Sequence, residues 1–286
     1  MFRPFALSAL LGMTLFWAKA QQITLPNTSF DLDTPGHSKT PRGWMSCGWS
    51  TESPPDILPD GTFQVTMPAF DGVTYLGLVT RDNGTWEAVG TRLSSPIEQD
   101  KCYSMKLALA QSDSYYSVSR LTNTPANFIS PVRLILWGAN GNCGHGEVLA
   151  ATDVINHFQW KTYTIQFRPQ ADSYTHLVLE VYYPENALQP TNGNLLVDGI
   201  SSIDLIEDCE ALRQQLEAAN TRRFEKATFQ LEQVDEKSLK RQGRYLKRHL
   251  RETLASIQFY IRRNDTELVD QVFQLEDESE VRAGSP

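Results

Sequence analysis

Three residues around one predicted hairpin turn have side chains that could bind a sugar. Arg81 precedes the turn signal Asp-Asn-Gly at residues 82–84, and Trp86 and Glu87 follow that turn. A guanidinium can hold a carboxylate or hydroxyl groups through two parallel hydrogen bonds, and an indole face can stack on a pyranose ring. The alternative interpretation is a surface ion pair beside a tryptophan that caps the core.

A long polar segment supplies two further aromatic candidates. Residues 37–60 are rich in glycine and proline, which is typical of a loop, and they contain Trp44 and Trp49 with Asp56 nearby. Loops carried by a rigid scaffold are where binding residues collect. Both tryptophans are therefore ligand-binding candidates, against the alternative that one or both plug the end of the core.

The sequence patterns of well-known catalytic sites are absent. There is no G-x-S-x-G, H-E-x-x-H or P-loop pattern, and no G-x-G-x-x-G after a strand. Carboxylates are plentiful, but their spacing does not single out the pair that a glycosidase needs. The sequence therefore predicts a protein that is not an enzyme and that requires no cofactor.

The length and composition indicate how large a core the chain can form and which class of partner its charge disfavours. The chain has 286 residues, a formal net charge of −8 and 41% hydrophobic residues. That is enough chain for one sizeable core and an appendage. The acidic balance argues against nucleic acid as a partner, because phosphate binding needs cations.

Residues 1–20 contain the three parts of a signal peptide in the usual order. Arg3 is followed by an apolar run over residues 6–17 and by an A-x-A cleavage site at residues 18–20. We expect a mature chain that starts at Gln21 and is secreted or periplasmic. No later apolar run is long enough for a transmembrane segment.

Four cysteines remain after the predicted cleavage: Cys47, Cys102, Cys143 and Cys209. An even number in an exported chain predicts two disulfides, for which three pairings are open. Zinc binding is a weaker interpretation, because no second pair of ligands at zinc-like spacing accompanies Cys143 and His145.

Short alternating segments separated by glycine, proline and asparagine turns fill residues 21–208. Eight or nine such strands without a helical period predict an antiparallel β-sandwich. Residues 194–209, NLLVDGISSIDLIEDC, are predicted to be the single strand that closes the fold, because the composition changes to charged helix after them. Other predicted strands include residues 23–31, 62–66, 101–110 and 157–167.

Motifs at both ends of this region resemble those of galactose-binding-like jelly rolls, the fold of many carbohydrate-binding modules. Asn-Thr-Ser-Phe-Asp at residues 27–31 resembles the motif at the start of that fold, and Leu-Leu-Val-Asp-Gly-Ile at residues 195–200 resembles the motif at its end. Residues 102–107 are similar to the strand that such modules place beside the last strand. Several internal segments are similar to secreted bacterial proteins with this fold. Gly199 stands where the family often has Asp or Asn.

The resemblance implies a jelly-roll sandwich over residues 21–208 that binds a carbohydrate or another cell-envelope polymer. It also implies a structural calcium between the first and last strands, with Asp31, Asp33 and Asp198 as oxygen ligands. The alternative is that these aspartates form turns and caps.

The resemblance further implies the disulfide pairing. In such jelly rolls the strand that begins at Cys102 lies antiparallel beside the closing strand, which ends at Cys209. This leaves Cys47 to pair with Cys143.

Residues 209–280 have a different pattern, in which apolar residues recur at steps of three and four and predict amphipathic helix. Gly243 predicts a bend, which gives either a helical hairpin or one long coiled-coil helix. A basic band over residues 237–251 could meet an anionic polymer, and a solvated helix face is the alternative. The apolar stripe predicts oligomerisation or docking, and residues 281–286 are predicted to be a disordered tail.

Together these features predict a secreted, non-catalytic binding protein that recognises a carbohydrate or cell-envelope ligand through its sandwich. The predicted ligand-binding residues are Trp44, Trp49, Arg81, Trp86 and Glu87. Two alternatives stay open: a structural or protein-interaction module without sugar binding, and a glycan-active hydrolase or lyase on the same fold.

Overall fold

A computed structural model describes residues 22–185, 187–207, 209–212 and 214. Within these ranges the chain forms mainly β-strands, with a 3-10 helix at Thr62–Gln64 and the start of a helix at Glu210. The strands are β1 (Met45–Ser46), β2 (Asp56–Leu58), β3 (Tyr75–Thr80), β4 (Ala88–Ile97), β5 (Cys102–Ala110), β6 (Tyr116–Val118), β7 (Pro125–Asn127), β8 (Arg133–Ala139), β9 (Glu147–Ala151), β10 (Lys161–Phe167), β11 (Tyr174–Tyr182), β12 (Gly193–Asp198) and β13 (Asp204–Ile206).

Two antiparallel sheets contain most of these strands. The first sheet has the order β1-β4-β11-β8-β9, and the second has the order β10-β5-β12-β3-β2, with β13 also paired to β5. Strands β6 and β7 form a separate hairpin. The predicted antiparallel β-sandwich is confirmed.

The main core lies between the two sheets. Leu177, Leu179 and Val181 of β11 and Leu76 and Leu78 of β3 are fully buried in one cluster. Burying each such side chain contributes roughly 1.5–3 kcal/mol. Because successive strand residues point to opposite faces, the residues between them point away from this core.

A second buried cluster covers part of the outer face of the second sheet. Tyr75 and Val79 of β3 point into it, together with Tyr115 and Phe128 from the segments beside the β6–β7 hairpin. Phe63 of the 3-10 helix stacks on Tyr115 with the ring centroids 5.0 Å apart. Loop segments therefore bury aromatic side chains that would otherwise line an open sheet face.

The predicted closing strand, residues 194–209, is divided in two. Strand β12 ends at Asp198 and β13 begins at Asp204, and both pair with β5. Gly199 between them has a left-handed φ of 54°, and a side chain there would approach the ring of Phe70 to 2.9 Å. The prediction of one continuous strand is wrong, because the chain leaves the sheet at this glycine and then returns to the same neighbour.

Two further strand predictions are also wrong. Residues 23–31 contribute a single bridge, Ile23 to Ile203, because the chain turns at Asn27 and Phe30, where φ is 48° and 60°. Residues 62–66 begin as a 3-10 turn, in which the carboxylate of Asp60 accepts the N–H of Thr62 at 2.9 Å.

Two disulfides tie the sandwich together. Cys47 pairs with Cys143 and Cys102 pairs with Cys209, with Cα–Cα distances of 5.0 and 5.6 Å. This is the pairing that the family resemblance implied. Strand β13 places Ile206 opposite Cys102, which brings the end of the sandwich chain to the start of β5.

The predicted signal peptide at residues 1–20 and the predicted tail at 281–286 lie outside the described residues, and so does nearly all of the predicted helical extension at 209–280, including its basic band. The chain divides into Met1–Gln215 and Leu216–Pro286, and every described residue belongs to the first unit. Among the described residues, no helix combines the length and hydropathy needed to cross a bilayer.

Candidate ligand-binding site

Arg81 and Glu87 form a buried ion pair at the ends of the β3–β4 hairpin turn. Arg81 Nη2 donates to Glu87 Oε1, and the two residues are only 3% and 2% exposed. Glu87 Oε2 also accepts the N–H of Val79 at 3.1 Å. Burial raises the pKa of Glu87 to about 8, although Arg81 acts in the opposite direction. The pair therefore stabilises the hairpin. It is not the exposed sugar-binding site that the sequence predicted.

Glu52 connects this hairpin to the loop that carries Trp49. Its Oε2 lies 3.5 Å from Arg81 Nε and 2.8 Å from Arg120 Nε. Ser53, the next residue, accepts a hydrogen bond from Arg81 Nη2 at 3.0 Å. These contacts of Glu52 and Ser53 hold the 49–53 loop against the hairpin. They therefore also fix the position of Trp49 in that loop.

Trp49 and Trp86 are in contact, edge to face, with their ring centroids 5.3 Å apart. Trp86 is half-buried and also packs against the main core. Trp86 also packs against Tyr182 at 4.7 Å, again with nearly perpendicular rings. Tyr182 follows the buried Val181 on β11, so it points to the outer face of the first sheet. Trp49 is 47% exposed.

Trp137 extends this arrangement across the outer face of the first sheet. Its Nε1 donates to Oε1 of Glu180, which lies on β11 two positions before Tyr182. The imidazole of His145 lies 4.7 Å from the Trp137 ring, and its Nε2 is 2.8 Å from Glu180 Oε2. We call Trp49, Trp86, Tyr182 and Trp137 the aromatic row.

The Glu180–His145 pair is fixed and partly accessible. Glu180 is 3% exposed, whereas the side chain of His145 is 39% exposed. The hydrogen bond to Glu180 raises the pKa of His145, and the desolvation of the ring partly offsets this effect. The pair places a partly accessible imidazole, hydrogen-bonded to Glu180 and to the backbone of Cys143, beside the half-buried ring of Trp137.

Trp44 does not belong to this surface. It is 5% exposed, its ring packs on Phe30 at 5.9 Å, and its Nε1 donates to the carbonyl of Pro26 at 3.0 Å. Both the apolar and the polar part of the indole are therefore used inside the main core. Here the alternative interpretation from the sequence, a plug at the end of the core, describes the structure.

The aspartates considered for calcium accept hydrogen bonds from the protein backbone. Asp31 Oδ1 accepts the N–H groups of Val73 and Thr74 at 2.8 and 2.9 Å, and Asp198 Oδ2 accepts those of Phe70 and Asp71, both at 2.9 Å. These bonds fix the loop between the 3-10 helix and β3.

The third of these aspartates is engaged in the same way. Asp33 Oδ2 accepts the N–H of Arg42 at 2.8 Å. In the part of the chain that the structure describes, no three His, Cys, Asp or Glu residues group as metal ligands. Calcium binding at Asp31 and Asp198 stays a prediction.

Of the five predicted ligand-binding residues, four form two contacting pairs in the structure and the fifth lies apart from them. Trp49 contacts Trp86, Arg81 contacts Glu87, and Trp44 lies in the core. Four residues of the outer face were not predicted to bind a ligand, although His145 was considered for zinc: Trp137, His145, Glu180 and Tyr182. Strand alternation could have placed Glu180 and Tyr182 on one face, but it could not show which face stays open.

Comparisons with known proteins do not assign this chain to a family. No protein-family model matches it, and no curated protein matches its sequence. A Stig cyclase, Fisc, from Fischerella sp. TAU is similar over 66% of this chain and 98% of its own, at 16% identity and a TM-score of 0.43.

Two other solved structures are similar at the same level. The CBM22-1 xylan-binding domain from Paenibacillus barcinonensis Xyn10C covers 62% of this chain and 98% of its own, at 11% identity and a TM-score of 0.34. The arabinose-bound MgGH51 a-L-arabinofuranosidase covers 65% of this chain and 27% of its own, at 14% identity and a TM-score of 0.41. Likenesses this distant carry no argument about what this chain binds.

Proposed function

We propose that this protein binds carbohydrate without catalysis, through the aromatic row on the outer face of the first sheet. The observation that carries the proposal is the row itself, in which the exposed Trp49 contacts Trp86 and Trp86 contacts Tyr182, both of which are half-buried. Aromatic rings combine a large apolar face with a polar edge, which matches the apolar face of a sugar ring. The resemblance of the motifs at residues 27–31 and 195–200 to those of carbohydrate-binding modules supports the same proposal.

The polar groups beside the row are held in fixed positions. Glu180 and the backbone of Cys143 hydrogen-bond to the His145 ring, and Trp137 donates to Glu180. A side chain whose orientation is already fixed loses little entropy when a ligand packs on it. The disulfide between Cys47 and Cys143 lies close to His145 in the chain and adds to this fixed geometry.

A binding role is favoured over a hydrolase because the carboxylates nearest the row are already engaged. Glu180 accepts hydrogen bonds from two side chains, and Glu52 and Glu87 are ion-paired with Arg81. A glycosidase needs a carboxylic acid and a carboxylate that both reach the scissile bond. None of these three groups combines a free carboxylate with an open surface.

The proposed setting is outside the cytoplasm, in the secreted or periplasmic space. Two disulfides in one domain are typical of an oxidising compartment. The proposed ligand is then a glycan or envelope polymer that the exported chain meets there.

A glycan array tests this proposal. The wild-type protein is expected to bind a defined set of glycans, and Trp49→Ala is expected to lose that binding by about tenfold or more, as for a central aromatic anchor. Phe158→Ala removes an aromatic side chain of similar exposure, 48%, outside the row and serves as the control. A folded protein that binds no glycan would favour the alternative of a protein-interaction module.

A further inference from the structure

A small pocket beside Arg81 is separate from the aromatic row. It has a volume of about 30 Å³, and none of the four row residues lines it. Arg81, Glu87 and Asp56 form its buried wall, and Ser53 and Arg120 lie at its exposed rim. We call it the Arg81 pocket.

Arg81 has one hydrogen-bonding group that the protein leaves unused. Its Nη2 donates to Ser53 and Glu87, and its Nε faces Glu52. Nη1 is buried, and among the described residues it has no hydrogen-bond partner. An unpaired buried donor is costly, so a ligand oxygen that accepts from Nη1 gains more than it would at the surface.

The charges around the pocket favour a neutral acceptor over an anion. The guanidinium of Arg81 already faces the carboxylates of Glu52 and Glu87, and Arg120 also donates to Glu52. The carboxyl group of Asp56 lies on the same wall, where it accepts a hydrogen bond from Tyr115. An anionic ligand would therefore lie near three acidic side chains, and the guanidinium that could attract it is already paired with two of them.

The other walls are apolar. Phe63, Val79 and Phe128 line the pocket opposite its polar groups. A water molecule needs about 10–15 Å³ of such volume, so the pocket holds about two or three water-sized groups. A carbonyl with an attached methyl group has this size, and its methyl matches the apolar walls as a lone hydroxyl would not.

We propose that the Arg81 pocket binds the acetamido group of an N-acetylated sugar. The carbonyl oxygen accepts from Arg81 Nη1, and the methyl group packs against Phe63 and Phe128. Ser53 at the rim belongs to the loop that also carries Trp49. The inference rests on the proposed function and deepens it, because it names the class of sugar.

Titrations of the labelled protein followed by NMR test the inference, with N-acetylglucosamine, glucosamine and glucose as probes. N-acetylglucosamine is expected to bind about tenfold or more tightly than the other two, as one buried hydrogen bond and one packed methyl allow. Acetate serves as the anionic probe and is expected not to compete. Equal binding of the three sugars, or competition by acetate, would overturn the acetamido assignment.

Two variants link the preference to the pocket. Arg81→Lys keeps a cation between Glu52 and Glu87 but removes the Nη1 donor, and Ser117→Leu fills the pocket from the β6 strand. Both are expected to reduce the preference for N-acetylglucosamine to about onefold. Val118→Leu, one position further on the same strand and 40% exposed, is the matched control and is expected to keep it.

The outcomes separate this inference from the proposed function. A protein that binds glycans through Trp49 but shows no acetamido preference overturns the pocket assignment alone. A preference that survives in Ser117→Leu does the same, whether or not Arg81→Lys folds. If no array glycan binds, the proposed function fails, and the N-acetylglucosamine titration still decides the pocket.

Discussion

The outer faces of the two sheets use the same kinds of residue in opposite ways. On the first sheet Trp49 is exposed and Trp86 and Tyr182 are half-buried, with Trp86 in contact with the other two. On the second sheet Tyr75 is fully buried, because Tyr115 and Phe128, from the segments beside the β6–β7 hairpin, cover it. What an aromatic residue does in this protein therefore depends on whether another segment covers its face.

The same contrast holds for charged groups. On the first sheet His145 is partly accessible above Glu180. On the second, Asp56 and Tyr115 are hydrogen-bonded inside the cover, and burial raises the pKa of both groups. Buried hydrogen-bonded groups organise the covered face, whereas the open face keeps one titratable side chain, His145, partly accessible to solvent.

The largest expected effect is on stability, at the covered face. Phe128→Ala removes a buried ring that packs on Tyr115 and should lower the free energy of unfolding by about 3–5 kcal/mol. Chemical denaturation measures this loss. A change below about 1 kcal/mol would mean that the cover is loosely packed and that the two faces differ less than we conclude.

The Cys47–Cys143 disulfide should have the next largest effect. It links residues 96 positions apart, so replacing both cysteines by serine should lower the free energy of unfolding by about 2–4 kcal/mol. The loss of this tether near His145 should also weaken glycan binding to the open face. A double variant with unchanged stability and unchanged binding would contradict the role of the tether.

A smaller, pH-dependent effect is expected at Asp198, which fastens the loop at Phe70 and Asp71 to β12. Burial raises the pKa of Asp198 from 3.8 to about 6. Its protonated form is favoured by folding, so its contribution to stability is complete below pH 3.8 and is lost as the pH rises through 6.

Asp198→Asn removes this titration and keeps an acceptor oxygen. Its stability relative to wild type should therefore rise between pH 3.8 and about 6, as denaturation curves over that range would show. A difference that is constant with pH would exclude Asp198 as the titrating group.

The smallest expected effect on stability is at the open face. Trp49→Ala alters a side chain that is 47% exposed and should change the free energy of unfolding by about 0.5 kcal/mol or less, although it weakens glycan binding. Thermal unfolding of this variant beside Phe128→Ala compares the two faces directly. A loss at Trp49 as large as that at Phe128 would make the aromatic row a part of the core.

The sequence predicts the framework of this protein better than its surface. Strand alternation is enough for the sandwich, and the family resemblance implied the neighbour of the closing strand and both disulfides. The break at Gly199 was not predictable, because it depends on the ring of Phe70 from a distant loop. Trp44 and Trp49 look alike in sequence, and only the main core, which takes up Trp44 alone, separates them.

The most direct test of the account follows the tryptophan indole N–H signals by NMR while an array-selected glycan is added. The account predicts shifts for Trp49, Trp86 and Trp137, and unchanged signals for Trp44 in the core and for Trp160, which packs on Tyr75 at the second sheet. Shifts at Trp160 with unchanged signals from Trp49 and Trp86 would place the binding face on the other sheet and contradict the account.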